Sequence, residues 1–291
     1  MTIARVLADV QGLKASCEAV AQSPALAGAI RMACANAGRG GIDFIGTAPP
    51  SALRAAIETH IAPCDALIAD DEIRIPHLFV SDMDSTMIGQ ECIDELADFA
   101  GLKPQIAAIT EAAMRGELDF RAALAERVAL LAGLGEGAIA QCLAERIRPM
   151  PGARTLVQTL KAHGCRTVLV TGGFHQFADP VAAMLGFEHV VANRLDVKAG
   201  QLTGKLTGPI CDSNTKLETL IAETAALGEG VVSLATGDGA NDIPMIRAAS
   251  HGIAYHAKPK ARDAASGWID RGDLTSVLRL FGIAEDKWIQ G

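Results

Sequence analysis

The chain has 291 residues, 49% apolar and 21% charged, with 26 basic against 34 acidic side chains for a formal net charge of −8. That length accommodates one large α/β domain and a smaller unit, and the proportions are those of a globular rather than a disordered protein. The acidic balance and the lack of a dense Lys/Arg run exclude the electrostatic footprint of a nucleic-acid binder.

The N-terminal nine residues lack a long apolar run, which Asp9 interrupts, and no stretch approaches about 18 uninterrupted apolar residues. Neither a secretory leader nor a membrane span is expected, and the expected location is cytoplasmic. Cys17, Cys34, Cys64, Cys92, Cys142, Cys165 and Cys211 are scattered and form no C-x-x-C pair. They read as reduced thiols packed as small hydrophobes.

Three regions follow in chain order. Residues 1–75 read as short apolar strands (3–8, 42–45 and 66–69) alternating with Ala-rich helices (25–37 and 50–60). Asp70-Asp71-Glu72, with Pro76 beyond, reads as a polar linker. The second region opens with an apolar strand at residues 77–80. A tract rich in Ala, Leu and Glu runs from about 91 to 148, punctuated by Gly101, Gly116 and the stretch 133–137. It predicts three or four short helices inserted after that strand. From Pro149 onward, strands at 167–170, 189–191, 231–235 and 252–255 alternate with helices at 156–163, 179–185, 215–226 and 243–249. Such alternation predicts a parallel sheet covered on both faces. Residues 193–207, with a turn at Lys198-Ala199-Gly200, predict a β-hairpin.

Ligands of such sheets bind at the carboxyl ends of the strands, and four of these ends carry chemistry. Asp82 and Asp84 follow the first core strand. Two carboxylates so close repel unless a cation neutralises them; magnesium suits such oxygens, and a carboxylate can attack phosphorus. A capping turn is the alternative. Thr171-Gly172-Gly173 offers a hydroxyl and exposed N–H groups for a phosphoryl oxygen, or is a plain strand-to-helix turn. Lys216 stands in the first turn of a helix, the wrong end of the macrodipole for a cation; it is aimed at an anion or is simply solvated. In Gly237-Asp238-Gly239-Ala240-Asn241-Asp242, Asp238 could ligate a metal and Asp242 hold Lys216 or a metal-bound water. The helix that follows argues against a hairpin turn.

In order and spacing the four resemble the motifs of the haloacid dehalogenase-like phosphatase superfamily: D-x-D-x-T at Asp82-Met83-Asp84-Ser85-Thr86, a hydroxyl at Thr171, a lysine at Lys216 and G-D-G-x-N-D from Gly237 to Asp242. The match spans about residues 77–256. The resemblance implies an α/β fold: a Rossmann-like parallel sheet core over 76–291 with a helical cap at about 90–150 inserted after the first core strand. The alternation over 1–75 reads as a small α+β N-terminal domain, compatible with an ACT-like unit and equally with a purely structural or dimer-forming one. It also implies Mg2+ as cofactor, held by Asp82, Asp84 (through its main-chain carbonyl) and Asp238. Asp82 would be the nucleophile, forming an aspartyl phosphate, and Asp84 would protonate the leaving oxygen and then activate water. Thr171 and Lys216 would hold the phosphoryl oxygens, with Asp242 orienting Lys216 or the metal shell. An acid at Asp84 favours ester cleavage, since a halide leaves unprotonated.

Within the superfamily, the cap segment around Glu91 and from Gly116 to Arg127 resembles the phosphoserine phosphatases, which complete serine biosynthesis. The resemblance implies O-phosphoserine as substrate. Arg127 would fork onto its α-carboxylate, Glu91 would pair with its ammonium, and Phe120 would cover the pocket. Asn241 and the Gly172 backbone would contact its polar groups. The plainer alternatives are a solvated charged face for Arg127 and a cap-core position for Phe120. Thr171 departs from the serine usual in these enzymes while keeping the hydroxyl. Rival readings are a phosphotransferase to another alcohol such as homoserine, a broader phosphatase for sugar or nucleotide phosphates, and a non-enzymatic sensor. No nucleic-acid or membrane partner is expected, and both monomer and homodimer are compatible.

Overall fold

The computed structural model describes residues 1–8, 13–26, 29–33, 41–114 and 117–290; Cys34, Gly116 and parts of the predicted helix 25–37 lie outside them. The N-terminal unit runs β1 (Thr2–Leu7), α1 (Leu13–Ala21), β2 (Ile30–Ala33), β3 (Gly41–Gly46), α2 (Pro50–His60) and β4 (Asp65–Ala69). Its four strands are antiparallel in the order β2-β3-β1-β4, the βαββαβ arrangement of ferredoxin-like units. Pro50 sits at the start of α2, and Leu53, Ala56 and Ile57 bury one helical face.

The Ala-rich stretch predicted as a helix over 25–37 is corrected. Residues 30–33 form β2, with Ile30 opposite Gly46 and Ala33 opposite Asp43, and the helix lies upstream as α1. Helix preference is a weak prior here: pairing with β3 satisfies the backbone and overrides composition.

The larger unit begins with β5 (Leu78–Ser81), buried at every position. That continuous apolar run marks a central parallel strand. Four cap helices follow: α3 (Cys92–Phe99), α4 (Lys103–Met114), α5 (Phe120–Ala129) and α6 (Gly137–Arg146). The chain then returns through α7 (Ala153–Ala162), β6 (Arg166–Phe174), α8 (His175–Leu185), β7 (His189–Lys198), β8 (Gln201–Thr207), α9 (Ser213–Leu227), β9 (Ser233–Gly237), α10 (Ile243–Ala248), β10 (His251–Tyr255), α11 (Pro259–Ala264), β11 (Gly267–Ile269) and α12 (Thr275–Leu280). Strands β11-β10-β9-β5-β6-β7 are parallel neighbours, and β8 closes the edge as an antiparallel hairpin with β7. Ala199 and Gly200 both adopt positive φ at its tip (51° and 75°), as two-residue hairpin turns require. The hairpin braces the cap: Gly133 N donates to Leu202 O at 2.8 Å, and Leu202 N to Leu134 O at 2.8 Å.

Two features exceed the sequence reading. Strand β11 was not expected, and it pairs antiparallel with β4, making one eleven-stranded sheet of both units. Trp268 of β11 is fully buried in the N-terminal core, donates Nε1–H to Cys64 O at 2.9 Å, and has the guanidiniums of Arg54 and Arg262 each 4.7 Å from its ring centroid. Buried Asp65 accepts from the backbone N–H groups of Asp270, Arg271 and Gly272 at 2.9, 2.9 and 3.0 Å, fixing the turn after β11. Cys64, Cys92, Cys142, Cys165 and Cys211 are free thiols, and they and Cys17 are buried.

Candidate active site

Parallel pairing places the chemistry. Ser81 of β5 stands opposite Leu169 of β6 and Thr236 of β9. The residues that follow, Asp82, Thr171 and Asp238, therefore emerge at nearly the same level at the carboxyl edge of the sheet.

At the floor, the Lys216 ammonium lies 2.6 Å from Asp82 Oδ1 and 2.6 Å from Asp242 Oδ1, with all three side chains buried. Asp212 caps α9, accepting from Asn214 N at 3.0 Å and Thr215 N at 3.2 Å, and so fixes the first turn from which Lys216 projects. Burial disfavours the Lys216 ammonium, but the two carboxylates outweigh it and hold its pKa above that of a free lysine. Burial and the neighbouring Asp242 charge push Asp82 well up, against the pull of Lys216. Burial and Asp242 likewise raise Asp238, with Lys258 in opposition. Gly237 is required at its position, because a Cβ there would collide with the Asp242 carboxyl group. Asp242 Oδ2 in turn accepts from Gly239 N at 2.9 Å.

Carboxylate oxygens of Asp82, Asp238 and Asp242 lie within 4.8 Å of one another. Three carboxylates against the buried Lys216 ammonium and the exposed Lys258 ammonium leave an excess of negative charge that a hard divalent cation would neutralise. Asp84 Oδ1 is also buried without a hydrogen-bond partner. This all-oxygen donor set fits a metal such as magnesium. Burial, then the nearby Glu91 charge, push the Asp84 carboxyl up to about 7.

A cavity of ≈ 280 Å³, sized for a small molecule, opens above this floor. Asp82, Asp84, Thr171, Gly172, Asp238 and Asn241 line it from the core, and Glu91, Phe120 and Arg127 line it from the cap. Lys216 and Asp242 lie behind Asp82. Thr171 is buried and accepts from Gly173 N at 2.9 Å. The strand end here is corrected: β6 continues through Thr171 to Phe174, and α8 starts only at His175. Phe120, the first residue of α5, is 41% exposed, which rules out a cap-core position. Its ring covers Gly172, where a Cβ would lie 3.4 Å from Phe120 Cζ. Arg127 is partly buried and faces the cavity instead of forming a solvated stripe. Burial draws its guanidinium pKa down, and Asp94 and Glu91 oppose that. A cap-to-core ion pair joins Arg121 to Asp212 at 2.6 Å.

Lys258, Ile93 and Leu124 also line the cavity and escaped the sequence reading. Lys258, whose ammonium is 3.9 Å from Asp238 Oδ2, looks in sequence like any surface lysine before a proline. Ile93 and Leu124 sit on helical faces that read as cap core.

The sequence profile of haloacid dehalogenase-like hydrolases matches residues 79–247. A phosphoserine phosphatase of Albidiferax ferrireducens is 45% identical over 210 residues, which is 70% of this chain and 89% of that protein. The crystal structure of a haloacid dehalogenase family hydrolase from Salmonella enterica serovar Typhi superposes with a TM-score of 0.83 at 27% identity, covering 98% of this chain and 99% of the other. The structure of a phospho-aspartyl intermediate analogue of phosphoserine phosphatase superposes with a TM-score of 0.65 at 36% identity, covering 71% of this chain and 99% of that one.

Proposed function

The chain belongs to the haloacid dehalogenase-like hydrolase family, and from that premise we propose that it is a magnesium-dependent phosphoserine phosphatase, releasing serine and phosphate in the last step of serine biosynthesis. The observation that carries this reading is one cavity with paired Asp82 and Asp84 on its floor and Glu91 and Arg127 on its cap wall.

The Asp82 carboxylate attacks phosphorus, the bond to the serine oxygen breaks, and that oxygen takes the Asp84 proton. The raised pKa keeps this proton available near neutral pH. The product left on the enzyme is an aspartyl phosphate on Asp82. Asp84, now a carboxylate, takes a proton from the water that attacks the phosphoenzyme, and phosphate leaves with the Asp82 carboxylate restored. Asp82, Asp238 and the Asp84 main-chain carbonyl would hold Mg2+, with Asp242 in its shell. When bound, Mg2+ supplies charge neutralisation for the transferring phosphoryl group. Lys216 and Thr171 hold the phosphoryl oxygens, and Asp242 orients Lys216. Arg127 takes the substrate carboxylate, Glu91 its ammonium, and Asn241 and the Gly172 backbone its remaining polar groups. Phe120 excludes water.

On this reading residues 76–291 are the phosphatase unit, with the cap at about 90–150, and residues 1–75 are an ACT-like unit built onto its sheet. Among the described residues no helix is long and apolar enough to cross a membrane. The test is phosphate release with Mg2+ across O-phosphoserine, O-phosphothreonine, sugar phosphates and nucleotides. O-phosphoserine is expected to be clearly best; a sugar phosphate or nucleotide equalling it would end the substrate assignment.

A further inference from the structure

The segment between Asp84 and Glu91 contains a strained residue. Ser85 has φ of 54°, in the left-handed region that an L-residue other than Gly, Asn or Asp seldom occupies. Such strain persists only where the surroundings hold it, and here they do. Met87 N and Ile88 N donate to Met83 O at 2.8 and 3.1 Å, and Gly89 N donates to Arg148 O at 3.1 Å. Gln90 Oε1 accepts from Arg148 N at 2.9 Å. In this fixed loop the Ser85 hydroxyl donates to Glu91 Oε1 at 2.8 Å.

Glu91 is otherwise poorly restrained. It is exposed at the N-cap of α3, its side chain makes no capping bond, and among the described residues Ser85 is the side chain hydrogen-bonded to it. A long, solvated glutamate loses rotamer freedom when it engages a cation. A hydroxyl holding one carboxylate oxygen removes much of that loss in advance and leaves the second oxygen free.

We propose that Ser85 is a positioning residue for specificity: its hydroxyl, presented by a left-handed backbone, aims the Glu91 carboxylate into the cavity at the ammonium of an amino-acid phosphate. The inference rests on the reading of Glu91 given under Proposed function. It accounts for serine at a position where glycine would relieve the backbone: glycine has the conformation without the hydroxyl.

The test compares the Mg2+-loaded wild type with Ser85→Ala, Ser85→Gly, Glu91→Gln and the double variant Ser85→Ala/Glu91→Gln, on O-phosphoserine and p-nitrophenyl phosphate. In both Ser85 variants KM for O-phosphoserine rises about tenfold, as for loss of a charge-assisted hydrogen bond. The preference for O-phosphoserine over the aryl ester falls by the same factor. Ser85→Gly melts no lower than wild type, because strain is relieved, so the loss cannot be unfolding. In the Glu91→Gln background Ser85→Ala adds little further loss, because the two act as a unit. Equal losses on both substrates, or full additivity with Glu91→Gln, overturn the proposal. If Glu91→Gln abolishes the preference while Ser85→Gly keeps it, Ser85 is not a positioning residue and the reading of Glu91 stands. If Glu91→Gln keeps the preference, both fall.

Discussion

Replacing Lys216 with alanine removes the cation from a buried trio and leaves Asp82 and Asp242, each 2.6 Å from the lost ammonium, without a partner. Breaking a buried pair in this way costs about 3–5 kcal/mol. At roughly 2 cal/mol/K of unfolding entropy per residue, the 291 residues convert this into a Tm drop on the order of 5–8 °C if both units of the continuous sheet unfold together. The sign with pH follows from burial. In the variant the Asp82 carboxyl, already pushed up by burial and the Asp242 charge, loses the opposing ammonium, so its folded pKa lies still further above the unfolded one. The folded protein then binds more protons than the unfolded chain between those values, and stability is recovered as pH falls through that window. The assay is thermal unfolding monitored by circular dichroism at pH 7 and pH 5, with and without Mg2+. The deficit should shrink at pH 5, and should shrink at pH 7 on adding the cation. A deficit below about 1 °C at pH 7, or one independent of both pH and Mg2+, would refute the view that Lys216 balances buried carboxylate charge.

The Asp84 carboxyl, raised to about 7 by burial and Glu91, is protonated below that pH, so kcat/KM for O-phosphoserine should fall tenfold per unit above it. In Asp84→Asn that limb should vanish and the rate drop by about 10²–10⁴; a profile flat to pH 9 in the wild type contradicts the assignment. Asp82→Asn should bind substrate yet trap no acid-labile phosphoenzyme, and chelation of the wild type should likewise abolish turnover, with Mg2+ restoring it. Turnover by Asp82→Asn is the contrary result. Arg127→Ala removes a partly buried partner of the substrate carboxylate, a loss of about 2–5 kcal/mol. The fall in kcat/KM should be far larger for O-phosphoserine than for an aryl phosphate, and an equal fall on both would make Arg127 structural.

The motifs were legible in the sequence because their chemistry is local. Asp82 and Asp84 are two residues apart, and Asp238 and Asp242 share one turn. The βα alternation told which ends of the strands they occupy, since a parallel sheet fixes that by topology. The cap was legible as helices from its Ala, Leu and Glu content. The distances were not legible: Lys216 reaches Asp82 only because α9 packs behind β5 and β9, and no spacing in the chain states a 2.6 Å contact between residues 134 positions apart. Nor did composition distinguish the exposed Phe120 over Gly172 from a core aromatic, or Lys258 at the cavity from a surface lysine.

The first residues show the same division. Their sequence determined an α+β unit, but its alanine-rich stretch was helical by propensity and became partly β2 because the edge of β3 offered backbone partners. The antiparallel pairing of β4 with β11, and the packing of Arg54 on the buried Trp268 ring, join segments some 200 residues apart. Sequence alone determined which groups were available and on which elements they stood, because propensity and periodicity are short-range. Tertiary structure decided which of them meet, because burial and strand pairing are settled by the whole chain at once.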